Sequence, residues 1–245
     1  RELQDYNLYA ADAALREGVA REGAGWARPD LDAFGARIGQ ADYLDLGNQA
    51  NRFQPELETH DRFGNRVDHV KFHPAYHVLM STAIEHGLHC SPWSEPKPGA
   101  HVARAAKFYL HSQVEAGHGC PVTMTFAVVP ALRLQPGLAA QWEPRITARS
   151  YDPRNVPVDQ KTGITVGMAM TEKQGGSDVR SNTTRAYPVG AGGPGEAYEL
   201  VGHKYFVSAP MCDAFLVLAQ APGGLSCFLL PRWRPDGGKN ALQVL

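Results

Sequence analysis

Apolar residues recur at helical spacing through residues 1–155, and from Ile164 onward the chain breaks into short β-branched or aromatic runs separated by glycine. One element cannot serve both patterns, because a helix returns a side chain to the same face every 3.6 residues and a strand every two. The change of period therefore divides the chain. It predicts an α+β protein, with an N-terminal all-helical domain over residues 1–155 and a small antiparallel β-barrel or sandwich over residues 156–245. At 245 residues there is material for two ordinary domains.

Within the first part, "AHVARAAKFYLHSQVEAGHG" is the clearest helix: Val102, Ala105, Ala106, Tyr109, Leu110 and Val114 form an apolar stripe opposite Arg104, Lys107 and Glu115. Asn7 or Asp12 can cap the first helical stretch and Gly23 can stop it. Residues 54–70 are polar and charged, which predicts a surface excursion, and a further helix is expected to start near Thr123–Thr125. In the second part "GITVGMAM", "TTRAYPV", "AYELVGHKYFVSA", "AFLVLAQAP" and "GLSCFLLPRW" are the expected strands, and "VGAGGPGEAY" is a hairpin connection. The strand-like "NALQVL" carries no stop signal. A sheet left there would have an unpaired edge, so the chain is expected to be part of a longer polypeptide.

Several classes of function are disfavoured. A net charge of −1 gives no overall attraction to nucleic acid or an anionic membrane. No apolar run reaches bilayer length, and the first twenty residues are helix-like, without the apolar stretch of a secretory leader. Cys90, Cys120, Cys212 and Cys227 stand singly and suit mostly buried thiols of a reducing, cytoplasmic compartment. His73 with His77, and His86 with His89, could each share a helix face. Neither HExxH nor CxxC accompanies them, so no metal is expected.

The segment "MAMTEKQGGSDVRSNTTRA", residues 168–186, is the unusual one. Adjacent glycines permit close backbone approach and positive φ, while Thr171, Ser177 and Ser181 bring short hydroxyls. Such a loop leaves main-chain N–H groups free for an acceptor-rich ring or for phosphate oxygens. It contains neither GxxxxGK[ST] nor GxGxxG, so the phosphate loop and the dinucleotide fingerprint are excluded; a plain polar loop is the alternative. A second segment, "VGHKYFVSAP" at residues 201–210, sets Phe206 two residues from Ser208. In a strand both would share a face that could hold a flat ring, the alternative being an ordinary strand with an inward Phe.

Together "MAMTEKQGGSD" and "VGHKYFVSAP" resemble the middle-domain signature of the acyl-CoA dehydrogenases. "MTEKQGGSDVRSNTTRA", "EAGHGCPVTMTFA", "REGAGW" and "PGGLSCF" resemble its AidB-like branch, named for the adaptive response to DNA alkylation. The resemblance implies a helical domain, a middle β-barrel and a C-terminal four-helix domain, the last absent from this chain. It also implies non-covalently bound FAD and oxidation of an acyl-CoA thioester, in which a carboxylate removes the α-proton while hydride from the β-carbon passes to flavin N5.

By the same resemblance the cofactor-facing residues are Met168, Ala169, Met170, Thr171, Glu172, Lys173, Gln174, Gly175, Gly176, Ser177, Phe206, Val207 and Ser208. Thr171 would bond the ring edge, Ser177 would contact the cofactor or acyl-CoA, and Phe206 to Ser208 would cover one ring face and reach N5. Phe206 stands where many relatives carry Trp, which keeps π contact but reduces stacking area. The general base is expected from the C-terminal domain, so no catalytic residue is named here. Glu172 is more simply a cap or a loop ion pair with Lys173 or Arg180. The implied partners are an acyl-CoA or related small molecule and further copies in a homo-oligomer, a tetramer. A chain without the last domain is expected to bind FAD poorly. The alternative function is protection against alkylation damage through binding of double-stranded DNA, by a basic cluster in the C-terminal region.

Overall fold

The computed structural model describes residues 3–245. Among the described residues, nine α-helices occupy the first part: α1 (Leu8–Ala11), α2 (Ala13–Arg21), α3 (Arg28–Ile38), α4 (Ala41–Arg52), α5 (Pro74–Glu85), α6 (Ser91–Ser94), α7 (Ala100–Ser112), α8 (Gly119–Leu132) and α9 (Pro136–Ile146). Both expected caps are used. Asn7 accepts from the N–H groups of Tyr9 and Ala10 at 3.0 Å, and Asp12 accepts from that of Leu15 at 2.8 Å. Gly23 follows α2 at φ 77°, a conformation that glycine adopts without Cβ strain. Leu31, Phe34 and Ile38 of α3 meet Leu79, Met80 and Ala83 of α5, Leu110 of α7 and Val122 of α8 in one buried cluster.

Two expectations about this part need correction. It is not all-helical: residues 54–70, taken as a polar excursion, hold most of a hairpin of β1 (Glu56–His60) and β2 (Arg66–Lys71). Asp61 folds its turn by accepting from the N–H groups of Phe63 at 2.8 Å and Asn65 at 2.9 Å, a local closure that requires no apolar pattern. The stripe on α7 is also differently phased. Ala105 and Tyr109 are exposed, while Lys107 is buried with its ammonium on Asp30 at 2.5 Å, so the long apolar stem packs inward and the charge is paired at the rim.

The second part contains β3 (Val166–Ala169), β4 (Arg185–Pro188), β5 (Tyr198–Val201), β6 (Ala214–Ala221) and β7 (Gly224–Pro231). The α+β class holds, but the sheet is mixed and open rather than an antiparallel barrel. β7 runs antiparallel along one edge of β6, whereas β3 and β4 run parallel to β6, end to end along its other edge. β5 pairs antiparallel with β4 through the expected hairpin. Parallel pairing of β3 with β6 is possible because a long crossover, residues 170–213, separates them. Residues 240–245 are irregular rather than a strand, tied instead by Arg66 donating to the carbonyl of Val244 at 2.8 Å.

Helices and sheet share a core. Val128, Val129 and Leu132 of α8 pack with Ile164, Val166, Ala214 and Leu216. Thr125 of α8 is buried and accepts from the N–H of Val166 at 3.0 Å, so a helical hydroxyl serves a strand donor that the sheet leaves over. No helix among the described residues is long and apolar enough to cross a membrane.

Candidate functional site

The arrangement of β3 and β4 creates the site. Ala169 pairs with Val217 and Arg185 with Gln220, so residues 170–184 leave the sheet where β6 advances only through Leu218 and Ala219. The glycine- and hydroxyl-rich segment is therefore an excursion from a nearly continuous sheet edge. A second excursion, after Val201, lies against it. Thr171 donates its hydroxyl to the carbonyl of Tyr205 at 2.7 Å, and the N–H of Tyr205 returns a bond to the carbonyl of Thr171 at 3.1 Å. Lys204 donates to the Leu218 carbonyl at 2.9 Å, inside the gap between β3 and β4.

Glu172 lies beneath this junction, 3% exposed. Its carboxylate accepts from the N–H groups of Thr183 at 2.8 Å and Thr184 at 2.9 Å, and from their hydroxyls at 2.8 and 2.5 Å. Gln174 adds a bond at 2.6 Å and the Lys204 ammonium one at 3.2 Å. Burial alone would raise its pKa, but the Thr184 hydroxyl and the other donors outweigh it and hold the group far below the usual carboxylate range. The expected partners are thus corrected: Lys173 is exposed, Arg180 pairs with Asp178, and the cation on Glu172 is Lys204.

The other candidates divide into core and surface. Ala169 is buried, while Met168 and Met170 pack against the α8–β3 core, so their side chains belong to the fold. Gly175 and Glu172 exchange main-chain bonds across a tight turn at 3.1 and 3.3 Å. Neither Gly175 nor Gly176 takes the positive φ expected of the pair. The positive φ falls on Phe206, at 59°, with the residue 80% exposed. The pairing of Phe206 with Ser208 on one strand face is accordingly corrected: the strand ends at Val201, and residues 203–207 are irregular because Lys204 and Tyr205 are fastened to the first excursion. Val207 is half-buried and packs against a core cluster that includes Ala169 and Phe215, while Ser208 is exposed.

What remains accessible is a set of donors. Among the described residues, the main-chain N–H groups of Gly176, Ser177, Phe206, Val207 and Ser208 have no intramolecular acceptor, and the hydroxyls of Ser177 and Ser208 have no partner. The two excursions therefore offer neighbouring main-chain donors, short hydroxyls and one outward aromatic ring. This fits an acceptor-rich planar group that also carries phosphate.

Lys204, Thr183, Thr184 and Tyr205 are site residues that the motifs do not mark. The available signals were a Thr pair at the start of a strand and a Lys inside an otherwise apolar run. The histidine pairs bind no common centre: His73 caps α5, His77 bonds the Tyr151 hydroxyl at 2.9 Å, and His89 donates to the Ala148 carbonyl at 3.0 Å. Among the described residues no group of three or more His, Cys, Asp or Glu is placed to hold a metal.

A helical layer sharing its core with a mixed sheet, and a sheet edge interrupted by a TEKQGGS excursion, define an acyl-CoA dehydrogenase-type architecture. The model of the acyl-CoA dehydrogenase middle domain matches residues 167–241, and that of the adaptive response protein AidB N-terminal domain matches residues 1–153. The chain belongs to the AidB-like branch of the acyl-CoA dehydrogenase family. It is 50% identical over 244 residues to the putative acyl-CoA dehydrogenase AidB of Escherichia coli K12, covering 99% of this chain and 44% of that protein. Among solved structures, the apo form of Bd2924 superposes with a TM-score of 0.85 at 29% identity, over 99% of this chain and 49% of its own. Caenorhabditis elegans ACDH-11 in complex with C11-CoA gives 0.82 at 28% identity, over 99% and 42%. The chain spans less than half the length of these relatives.

Proposed function

We propose that the intact protein is an FAD-binding flavoprotein that oxidises an acyl-CoA thioester, with residues 156–245 as its flavin-facing domain. The observation that carries this reading is the pair of fastened excursions with free donors at Gly176, Ser177, Phe206, Val207 and Ser208. Family membership and the resemblance to ACDH-11, solved with C11-CoA, support it.

FAD, when bound, supplies hydride acceptance; this chain supplies position and polarity. Donors aimed at the acceptor edge of the ring favour the charge that builds there on reduction. Thr171 is available only as an acceptor on its oxygen, because its proton is on Tyr205. Main-chain donors and Ser208 therefore address the ring's acceptor atoms, and Phe206 covers a face. The buried, acceptor-saturated Glu172 has no lone pair left for proton abstraction, which leaves the general base to another part of the intact protein.

Absorbance titration of the intact protein with FAD tests the reading: stoichiometric uptake is expected, followed by bleaching with a short branched acyl-CoA. A protein that stays colourless after reconstitution contradicts it. Ser208→Ala and Thr171→Ala are each expected to weaken FAD binding by about 1 kcal/mol, roughly fivefold. Unchanged affinity and spectrum in both would remove these residues from the site. A role in protecting DNA is the second proposal for the intact protein, suggested by the AidB relationship, and salt-dependent retention of duplex DNA tests it.

A further inference from the structure

We infer that Glu172 and Lys204 form a positioning pair, which sets the two flavin-facing excursions in register and holds Phe206 in its left-handed conformation. The inference rests on the flavin reading for what the excursions face, and on geometry for the rest.

A carboxylate offers about four lone-pair directions, and Glu172 accepts from six donor atoms, so it is saturated within the protein. Those donors come from three places in the chain. Gln174 belongs to the turn of the first excursion, Thr183 and Thr184 to its return into β4, and Lys204 to the second excursion. One buried charge thus joins both ends of the first loop to the second. Lys204 extends the connection to β6 through the Leu218 carbonyl, which faces the gap between β3 and β4. Gly202 completes the approach: a Cβ there would collide with the Thr184 side chain, so only glycine lets the second excursion leave so close to the pair.

Phe206 is the consequence. A bulky residue at φ 59° is strained and persists only where its neighbours over-determine it. Its own side chain is 80% exposed and adds little restraint. The restraint comes from the two preceding residues, with Lys204 bound to Glu172 and Leu218, and Tyr205 bound twice to Thr171. Glu172 therefore acts through Lys204 and Tyr205 on the ring and on the amides that follow it.

Three variants of the intact protein test this: Lys204→Met, Lys204→Arg and Thr184→Val, the last removing one hydroxyl donor and leaving the ion pair. Amide exchange is measured first without FAD. At the bonded amides of Glu172, Gly175, Thr183, Thr184 and Tyr205 we expect exchange at least tenfold faster in Lys204→Met, a smaller rise in Thr184→Val, and near-wild-type rates in Lys204→Arg, with α3, α5 and α7 unchanged in all. FAD is then titrated, and its dissociation constant should rise at least tenfold in Lys204→Met and recover in Lys204→Arg. Should Lys204→Met fail to fold, Lys204→Gln, which removes the charge but keeps a donor, carries the same comparison. Wild-type exchange in both segments, or faster exchange with unaltered FAD affinity and flavin spectrum, overturns the inference. A wild-type protein that takes up no FAD sinks the flavin reading instead, and the exchange measured without FAD still decides whether the pair holds the excursions.

Discussion

Asp213→Ala is expected to destabilise the protein by about 3–5 kcal/mol, because it strands a buried ammonium. Lys161 and Asp213 have side chains 3% and 8% exposed, with Nζ and Oδ1 2.5 Å apart. The second carboxylate oxygen accepts from the N–H of Thr165 at 2.9 Å, and the backbone of residue 213 also bonds Thr165 and Arg232. The pair fastens the entry to β3 onto the start of β6, the two strands whose parallel register opens the gap at the site. Burial pushes the Asp213 carboxyl up, with Lys161 opposing, so the close pairing is held against a desolvation cost. The double variant Lys161→Met/Asp213→Leu should recover most of the loss, since a buried ion pair gains little over apolar residues of similar volume. Denaturant midpoints of the three proteins check this. A wild-type midpoint in Asp213→Ala would show that the pair contributes nothing.

His118→Ala is expected to cost about 3 kcal/mol at neutral pH, by leaving the buried Glu115 carboxylate without its side-chain partner. Glu115 accepts from His118 Nδ1 at 2.8 Å, and a His118 that carries its single proton there presents Nε2 as an acceptor. His111 then donates from Nδ1 across 2.5 Å, and its Nε2 accepts from the Tyr43 hydroxyl at 2.8 Å. One proton order satisfies the whole chain, which links α4, α7 and the entry to α8.

Acid disrupts it in two windows. Burial, aided by His118 and His86, holds the pKa of His111 well below its usual 6.5. The unfolded chain therefore binds a proton that the folded one refuses, and stability present above pH 6.5 is lost below it. Burial would raise Glu115, but bonds from His118 and Gly117 bring it down from 4.5 to about 2, so a further loss falls between those values. Unfolding midpoints should fall from pH 6.5 downward in the wild type. In His118→Ala the decline below pH 4.5 should be shallower. Parallel curves would assign the acid sensitivity to other groups.

The division into helical and strand-bearing parts was legible because packing against a shared core enforces the two periods along the chain. The β1–β2 hairpin was not. Its residues show no apolar alternation, and it is held by the Asp61 turn and by Lys239, which binds Asp68 and the carbonyl of Arg66 from far along the sequence. The phase of α7 departs from its apolar stripe because Lys107 and His111 are buried through partners on other elements. At the site, glycines and hydroxyls marked the right segment, since composition reflects what a loop can expose. The strain at Phe206 and the role of Lys204 depend on a gap in strand pairing, which no local pattern encodes.

On the proposed reading, residues 176–177 and 206–208 present one flavin-facing surface. Amide hydrogen exchange of the intact protein with and without FAD tests it most directly. FAD should slow exchange at Gly176, Ser177, Phe206, Val207 and Ser208 together while leaving residues 56–71 untouched. Protection of only one segment, or of neither while FAD is bound, would contradict the account.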